Sequence, residues 1–217
     1  MSRALSEILT PDSAFIFRIT HRDNLGAILR SGLHCRSSEE VDPRFVEIGN
    51  PEIVSRRHSR RVPIAPGGTL SDYVPFYFTP CTPMLYNIVS GWNGMRQRAR
   101  AEIIVLVSSL DRVEQVGTDF VVADRNASLM NATITAGRKA LNSLPWEKWR
   151  ARDFKRDVND PSTMERYQAE ALVHRHLPIG ALAAIIIHDD VTQVSVKQAL
   201  SESGVQLPVR LRPDWYP

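Results

Sequence analysis

Residues 66–86 read PGGTLSDYVPFYFTPCTPMLY, and this segment says more about the fold than any other part of the chain. Its aromatic and β-branched centre, Val74–Thr79, predicts a strand. Core packing accounts for Phe76 and Phe78, although aromatic rings on both faces are also able to hold a planar ligand. The Pro-Gly-Gly run before the strand is a loop, and Pro83 predicts a helix that continues to about Val89.

Outside this stretch, predicted strands and helices lack the regular alternation of a doubly wound sheet. Residues 15–20 are predicted as a buried strand, followed by a helix over 21–31 that Gly32 ends. Residues 168–173 fit either a helix that begins at Thr163 or a short strand that begins near Gln168, and residues 124–134 are predicted as a long ordered loop. The pattern indicates an α+β fold with a bent mixed sheet. Its further elements are strands over 102–107, 120–123, 184–188 and 209–211, a helix from Asn50 to Pro63, two polar helices within 136–156 and a helix over 192–203.

Length and composition limit the class of protein. The chain has 217 residues, 27 Lys and Arg against 24 Asp and Glu, a net charge of +3, and 43% hydrophobic residues. We expect one domain over residues 1–217 and no disordered tail. Two cysteines exclude a disulfide scaffold, and no four-ligand zinc spacing occurs, so we expect no metal. No apolar stretch approaches the ~20 residues of a spanning helix, and residues 1–7 lack a signal-peptide core. We expect a soluble cytoplasmic protein.

Basic residues are concentrated in three segments, at 56–61, 96–100 and 138–156. Trp92 lies beside the second segment, and Trp146, Trp149 and Phe154 lie within the third. Charge together with aromatic rings suits a polyanion whose phosphates are neutralised and whose bases are stacked. The alternative is that each segment is only the solvated face of a helix.

Two short features are candidates for chemistry, since the common nucleotide-binding loops and the nucleophile elbow are absent. Thr20-His21 ends a strand directly before a helix, where backbone groups and both side chains are able to hold a carboxamide or ribose, or else simply cap the helix. Glu170 lies among Ala, Leu and Val. If it is buried, its carboxylate needs a charged or hydrogen-bonding partner, which makes it a candidate for charge chemistry in a cleft. The alternative is a glutamate on the exposed surface of a helix. His174 and His176 are spaced poorly for a metal.

Taken in order, several segments resemble the DarT family. The similarity runs from about residue 15 to the end of the chain. The block over residues 67–86 is long and specific to the family, whereas the Gln-x-Glu motif by itself would be weak evidence. DarT proteins are bacterial toxins that transfer ADP-ribose from NAD to bases of single-stranded DNA, usually thymine, and a macrodomain antitoxin neutralises each of them. The matching segments are Ile19-Thr20-His21-(x)2-Asn24-Leu25-(x)2-Ile28-Leu29-(x)2-Gly32-Leu33, the Arg56-Arg57 helix before Val62-Pro63, the 66–86 stretch, Gln168-Ala169-Glu170, and Arg212-(x)-Asp214-Trp215-Tyr216.

The resemblance implies a poly(ADP-ribose) polymerase-like ADP-ribosyltransferase fold, in which a split mixed β-sheet flanked by helices holds NAD as co-substrate. Residues of about 34–62 would cover NAD, and those of about 124–170 would recognise the substrate. By position, Arg57 and Glu170 would be catalytic. NAD contacts would come from Arg18, Ile19, Thr20, His21, Ala27, Cys35, Arg57 and Tyr77. DNA contacts would come from Cys81, Thr82, Pro83, Met84, Leu85, Tyr86, Trp149, Lys155, Arg156 and Arg166.

The implied chemistry assigns a role to each catalytic residue. Glu170 would stabilise the oxocarbenium-like ribose as nicotinamide leaves. Arg57 would hold thymine as its imide anion, because a guanidinium does not deprotonate in proteins. The chain departs from some relatives at two positions, with Asn126 in place of a histidine and Cys81 in place of an arginine, which implies altered substrate contacts.

The leading hypothesis is therefore a toxin that modifies thymidine in single-stranded DNA. One alternative keeps the enzyme class with guanine as the acceptor, and another is a non-catalytic module that binds single-stranded nucleic acid and leaves Glu170 inert. The expected partners are single-stranded DNA and a macrodomain antitoxin. We expect a monomer.

Overall fold

The computed structural model describes residues 5–155 and 161–217. Most of its strands form one eight-stranded sheet in the order β10-β9-β4-β1-β3-β7-β5-β6, and β2 pairs with β8 separately. The strands are β1 (Phe15–His21), β2 (Leu33–His34), β3 (Tyr73–Tyr77), β4 (Ile103–Ser109), β5 (Phe120–Ala123), β6 (Ile134–Ala136), β7 (Glu170–His174), β8 (His176–Leu177), β9 (Ala184–Ile187) and β10 (Val209–Leu211). The α-helices are α1 (Leu5–Ile8), α2 (Leu25–Ser31), α3 (Pro51–Ser59), α4 (Pro83–Ser90), α5 (Leu110–Gln115), α6 (Trp146–Ala151), α7 (Thr163–Arg166) and α8 (Asp190–Ser203).

The large sheet is split between β1 and β3. On one side, β1 pairs with β4 over the whole length of β1. On the other side, β1 pairs with β3 at a single position, where Phe17 lies opposite Tyr77. Pro75 helps to end this pairing: its carbonyl faces β1, where it accepts from Arg18, and its ring nitrogen has no hydrogen to donate on that side. The β9–β10 pair is parallel and the other pairs of this sheet are antiparallel, so the expected α+β class with a split mixed sheet is confirmed.

The ambiguous segment before position 174 forms a strand because neighbours pair with it on both sides. From Glu170 onward, β7 lies antiparallel to β3 and to β5. Four of its five residues are buried, including the glutamate at its first position. Periodicity alone did not decide between helix and strand here, since both leave a short apolar run buried.

Local sequence signals determine where α2 ends and where α3 begins. Gly32 ends α2 with a φ of +81°, and a Cβ there would lie 2.5 Å from the carbonyl oxygen of Leu177, so a side chain is excluded. Asn50 caps α3 by accepting from the backbone N–H of Glu52 at 2.9 Å, and Pro51 occupies the first turn. Helix α3 contributes no buried residue and ends at Ser59, four positions before the expected proline.

The segment expected to form two polar helices is different in the structure. Residues Gly137–Ser143 form a 3-10 helix, and α6 follows it. Helix α6 is not polar on its inner side, because Trp146 and Trp149 pack against Phe78 of the core. Among the described helices, none combines the length and apolar character that crossing a membrane requires.

Candidate active site

A cavity of about 360 Å³ opens at the split in the sheet. Its floor and walls come from β1, α2, β3 and β7, and the segment 40–54 with α3 borders it from the other side. Asn24 fastens this covering segment to the sheet: its side-chain amide donates to Thr20 Oγ1 at 3.1 Å and to the Val46 carbonyl at 2.9 Å, and it accepts from the Val46 N–H at 2.7 Å. The cavity therefore has a rigid floor and a separately attached cover.

An ion pair between Arg57 and Glu170 lies in this cavity. Arg57 Nη1 donates to Glu170 Oε2 over 2.9 Å, and only 12% and 3% of the two side chains are exposed. Helix α3 carries the arginine and the first residue of β7 is the glutamate, so the pair connects the cover to the sheet. A charged glutamate at a buried strand position is tolerated because the guanidinium partners it.

Arg18 is a second guanidinium in the cavity. Its Nη1 donates to the Pro75 carbonyl at 3.0 Å across the split. Burial lowers the pKa of Arg18, and the nearby Arg57 contributes in the same direction. Arg18 Nε and Arg57 Nη2 are buried and have no hydrogen-bond partner among the described residues. Because an unmade buried hydrogen bond is costly, these donors are suited to oxygen atoms of a bound molecule.

Tyr77 is placed beside the glutamate by strand register. It lies opposite Glu170 in the β3–β7 pair, and its hydroxyl donates to Met84 Sδ at 3.0 Å. Burial, followed by the charge of Glu170, raises the pKa of Tyr77 well above its ordinary value. The phenol therefore remains a neutral hydrogen-bond donor over the physiological pH range.

The structure brings together most residues that the sequence suggested for NAD binding and two of those suggested for DNA. The ones that line the cavity are Arg18, Ile19, Thr20, Ala27, Arg57, Tyr77, Pro83, Met84 and Glu170. Ile53 and Val54 of α3 also border the cavity.

Two residues suggested for NAD binding do not line the cavity. The His21 ring lies between Glu102 Oε1 at 3.3 Å and the N–H of Asp23, which it caps. Cys35 is 1% exposed and packs in the core. These assignments are corrected: the capping interpretation of His21 describes its side chain, and Cys35 is a core residue.

The residues suggested for DNA binding are divided in the same way. Tyr86 is exposed. Thr82 instead caps α4, because its hydroxyl oxygen accepts from the N–H of Leu85, and the Leu85 side chain is fully buried. Trp149 is 1% exposed, so the expected stacking of this ring on a DNA base is wrong. Cys81, Lys155 and Arg166 retain some exposure, and burial raises the pKa of the Cys81 thiol. Arg156 lies outside the described residues.

Several arginines of the basic segments bind within the protein. Arg60 donates to the Leu129 carbonyl at 3.3 Å, Arg98 pairs with Glu102 at 3.4 Å, and Arg152 donates to the Asp214 carbonyl at 2.6 Å. These guanidinium groups serve the fold, so the density of arginine in the sequence overstates the charge available to a polyanion.

Sequence reasoning missed several cavity residues in segments without periodicity, among them Phe45, Glu47, Asn93 and Met95. Asn24 lies in one of the segments that resemble the DarT family, but its burial near a helix start is visible only in three dimensions. Among the described residues, no three His, Cys, Asp or Glu side chains are grouped closely enough to hold a metal ion.

Comparison with known proteins gives a consistent result. The model of the DarT family, described as ssDNA thymidine ADP-ribosyltransferase, matches residues 17–217. The DNA ADP-ribosyl transferase of Escherichia coli O127:H6 (strain E2348/69 / EPEC) is 42% identical over 216 residues, which is 100% of this chain and 99% of that protein. A DNA ADP-ribosyl transferase-DNA ADP-ribosyl glycohydrolase fusion protein of Thermosipho africanus (strain H17ap60334) is 24% identical over 194 residues, 88% of this chain and 46% of the fusion.

Solved structures agree with the fold in detail. Thermus sp. 2.9 DarT in complex with ADP-ribosylated ssDNA superimposes with a TM-score of 0.85 at 33% identity, covering 100% of both chains. The same Thermus protein in complex with NAD+ superimposes with a TM-score of 0.80 over 96% of this chain and 100% of that one.

Proposed function

This chain belongs to the DarT family, and we propose that it transfers ADP-ribose from NAD to thymidine in single-stranded DNA. The class of enzyme is a DNA ADP-ribosyltransferase with NAD as its substrate. The observation that carries the proposal is the Arg57–Glu170 pair, buried in a cavity at the split of the sheet.

Glu170 is proposed to stabilise the transition state. When the bond between nicotinamide and ribose breaks, positive charge develops on the ribose, and a fixed carboxylate in a site with little water stabilises that charge strongly. The burial of Glu170 excludes water, and its place at the start of β7 restricts its movement. Nicotinamide leaves as a neutral molecule, since its ring takes the electron pair of the broken bond.

Arg57 is proposed to hold the acceptor base. Thymine N3 is a poor nucleophile until its proton leaves, and the resulting negative charge spreads onto the neighbouring carbonyl oxygens. The free Nη2 of Arg57 is able to donate to such an oxygen while Nη1 remains on Glu170. A guanidinium does not accept the proton, so we assign that step to the Glu170 carboxylate; the new bond joins ribose C1 to N3.

Arg18 and Tyr77 are proposed to position NAD. Arg18 Nε is an unpaired buried donor in the floor of the cavity, suited to an oxygen of the substrate. Tyr77, kept neutral by burial, lies opposite Glu170 and lines the same cavity. We propose that its ring borders the part of the cavity that holds the nicotinamide ribose of NAD.

The proposed biological role is that of a toxin. Attachment of ADP-ribose to template bases would obstruct copying of the strand, and the fusion relative joins the transferase to a DNA ADP-ribosyl glycohydrolase in one chain. We therefore propose that a macrodomain enzyme that removes ADP-ribose from DNA is the antitoxin of this chain. Its co-expression should relieve growth inhibition.

The direct experiment is to incubate the protein with NAD and short oligonucleotides and to measure the mass of each strand. We expect one added ADP-ribose on strands that contain thymine and none on matched strands in which thymine is replaced. Modification of guanine-containing strands that lack thymine would overturn the acceptor assignment. Binding of DNA without any NAD-dependent modification would overturn the enzymatic assignment.

A further inference from the structure

The end of α4 and the loop after it form one rim of the cavity. Asn87 of α4 and Met95 after the loop both line the cavity, as does Asn93 between them. Tyr86 precedes Asn87 on the solvent side of the helix and is 51% exposed. The opposite side of α4 is buried in the core, so this rim is fixed to the body of the protein.

Trp92 is the exposed aromatic residue of this loop. It is 61% exposed, whereas the other three tryptophans, at 146, 149 and 215, are at most 6% exposed. The loop has a defined conformation: Gly91 adopts a φ of +74° at the end of α4, the Met95 N–H donates to the Trp92 carbonyl at 3.2 Å, and Gln97 donates to the Val89 carbonyl at 3.1 Å. The loop therefore holds the Trp92 ring on the surface, where its face is accessible to a planar ligand.

Arg96 directly follows the cavity residue Met95 and supplies a cation next to the rim. It is exposed, and no carboxylate lies within ion-pair distance of it among the described residues. Its neighbours differ, because Arg98 pairs with Glu102 and Arg100 donates to the carbonyl of Pro217. Of the basic segment at 96–100, Arg96 is thus the side chain left available for a phosphate.

We propose that Tyr86, Trp92 and Arg96, here called the rim patch, bind the nucleotides that flank the acceptor base. One flanking base stacks on Trp92, and Arg96 contacts a backbone phosphate. This inference rests on the proposed function, because the occupant is the strand whose target base enters the cavity. Aromatic rings beside a cation are the elements by which proteins hold single strands, since every base has a face to stack and every linkage a charge.

The test uses the intrinsic fluorescence of the unmodified protein without NAD, so it does not depend on catalysis. Because Trp92 is the exposed tryptophan, we expect a thymine-rich single strand of roughly 12 nucleotides to quench its red-shifted emission. Trp92→Phe should remove this quenching while anisotropy of a labelled strand still reports binding. Trp92→Ala should weaken that binding roughly 5-fold to 150-fold.

Arg96→Ala should lower the slope of log affinity against log salt by about 0.7, the value for one phosphate contact of a single strand. The matched controls lie on other elements: Arg210→Ala removes an exposed arginine from β10, and Val194→Ala removes an exposed apolar side chain from α8. Both controls should bind the strand as the unchanged protein does.

The inference fails if the strand binds without quenching the fluorescence of Trp92 and if the Trp92→Ala protein binds the strand equally well. This holds even if the protein transfers ADP-ribose to the DNA, because the proposed function would then stand without the rim patch. Conversely, quenching and weakened binding in the absence of any NAD-dependent modification would support the rim patch and overturn the proposed enzymatic function. The two failures are therefore distinguishable.

Discussion

Arg57 and Glu170 are 113 residues apart in the chain, yet Arg57 Nη1 donates to Glu170 Oε2 over 2.9 Å in a largely buried site. The pair connects α3, whose other residues are partly or fully exposed, to the interior strand β7. Buried ion pairs add little net stability, because the loss of hydration offsets the attraction between the charges. We therefore interpret this pair as a means of holding a reactive carboxylate beside the substrate.

Glu170→Gln should keep the shape of the site and remove its negative charge. We expect the rate of ADP-ribose transfer to fall by about 10²-fold to 10³-fold, because a fixed charge that faces developing ribose charge is lost. Initial rates on a thymine strand measure this, with Glu202→Gln on α8 as a control. A Glu170→Gln protein of unchanged rate would contradict the role of the carboxylate.

Arg57→Ala should destabilise the fold as well as stop the reaction. Removing the guanidinium leaves a buried carboxylate without its partner, at a cost of about 1–3 kcal/mol in the free energy of unfolding. The double variant Arg57→Ala/Glu170→Gln should recover part of that loss, since the unpaired charge is gone. Urea unfolding of the three proteins checks this, and equal stability of single and double variants would contradict it.

Trp149→Ala should act through stability and not through DNA. The ring stacks on Phe78 with centroids 6.2 Å apart and meets Trp146 edge to face, so its removal should cost about 3–5 kcal/mol. Trp149→Phe should cost less and leave the affinity for a single strand unchanged. Anisotropy with the folded Trp149→Phe protein tests this; weakened DNA binding would restore a direct role for Trp149.

Asp72 should make stability depend on pH in the acid range. Its carboxylate accepts from the Thr69 N–H at 2.8 Å and from Ser37 Oγ at 2.7 Å, and the backbone bond to Thr69, followed by that to Ser37, lowers the pKa of Asp72. A depressed pKa in the folded state means that the stabilisation is complete above the ordinary value of about 3.9 and is lost as pH falls below it.

Asp72→Asn should accordingly be less stable than the unchanged protein at pH 7, and the difference should shrink as pH falls below about 4. Denaturant unfolding at several pH values measures this difference. A difference of constant size down to pH 2 would show that the ionised carboxylate is not its cause.

Local sequence signals were sufficient for many elements. The strand over 15–20, the stop at Gly32, the helix start at Asn50 and the helix from Pro83 all lie where the sequence predicts them. Each depends on residues a few positions apart: apolar periodicity, a side-chain oxygen that accepts from nearby N–H groups, or a backbone angle that favours glycine.

Local sequence patterns account for these elements and for the α+β class, and the resemblance to the DarT family names Arg57 and Glu170 as candidate catalytic residues. Packing in three dimensions establishes that β7 is a strand, that Trp149 is a core residue, that Arg98 is paired, and that Trp92 and Arg96 are exposed. The physical reason is that burial and pairing depend on which strands become neighbours. Strand order is set by contacts between residues far apart in the chain, and no local pattern records it.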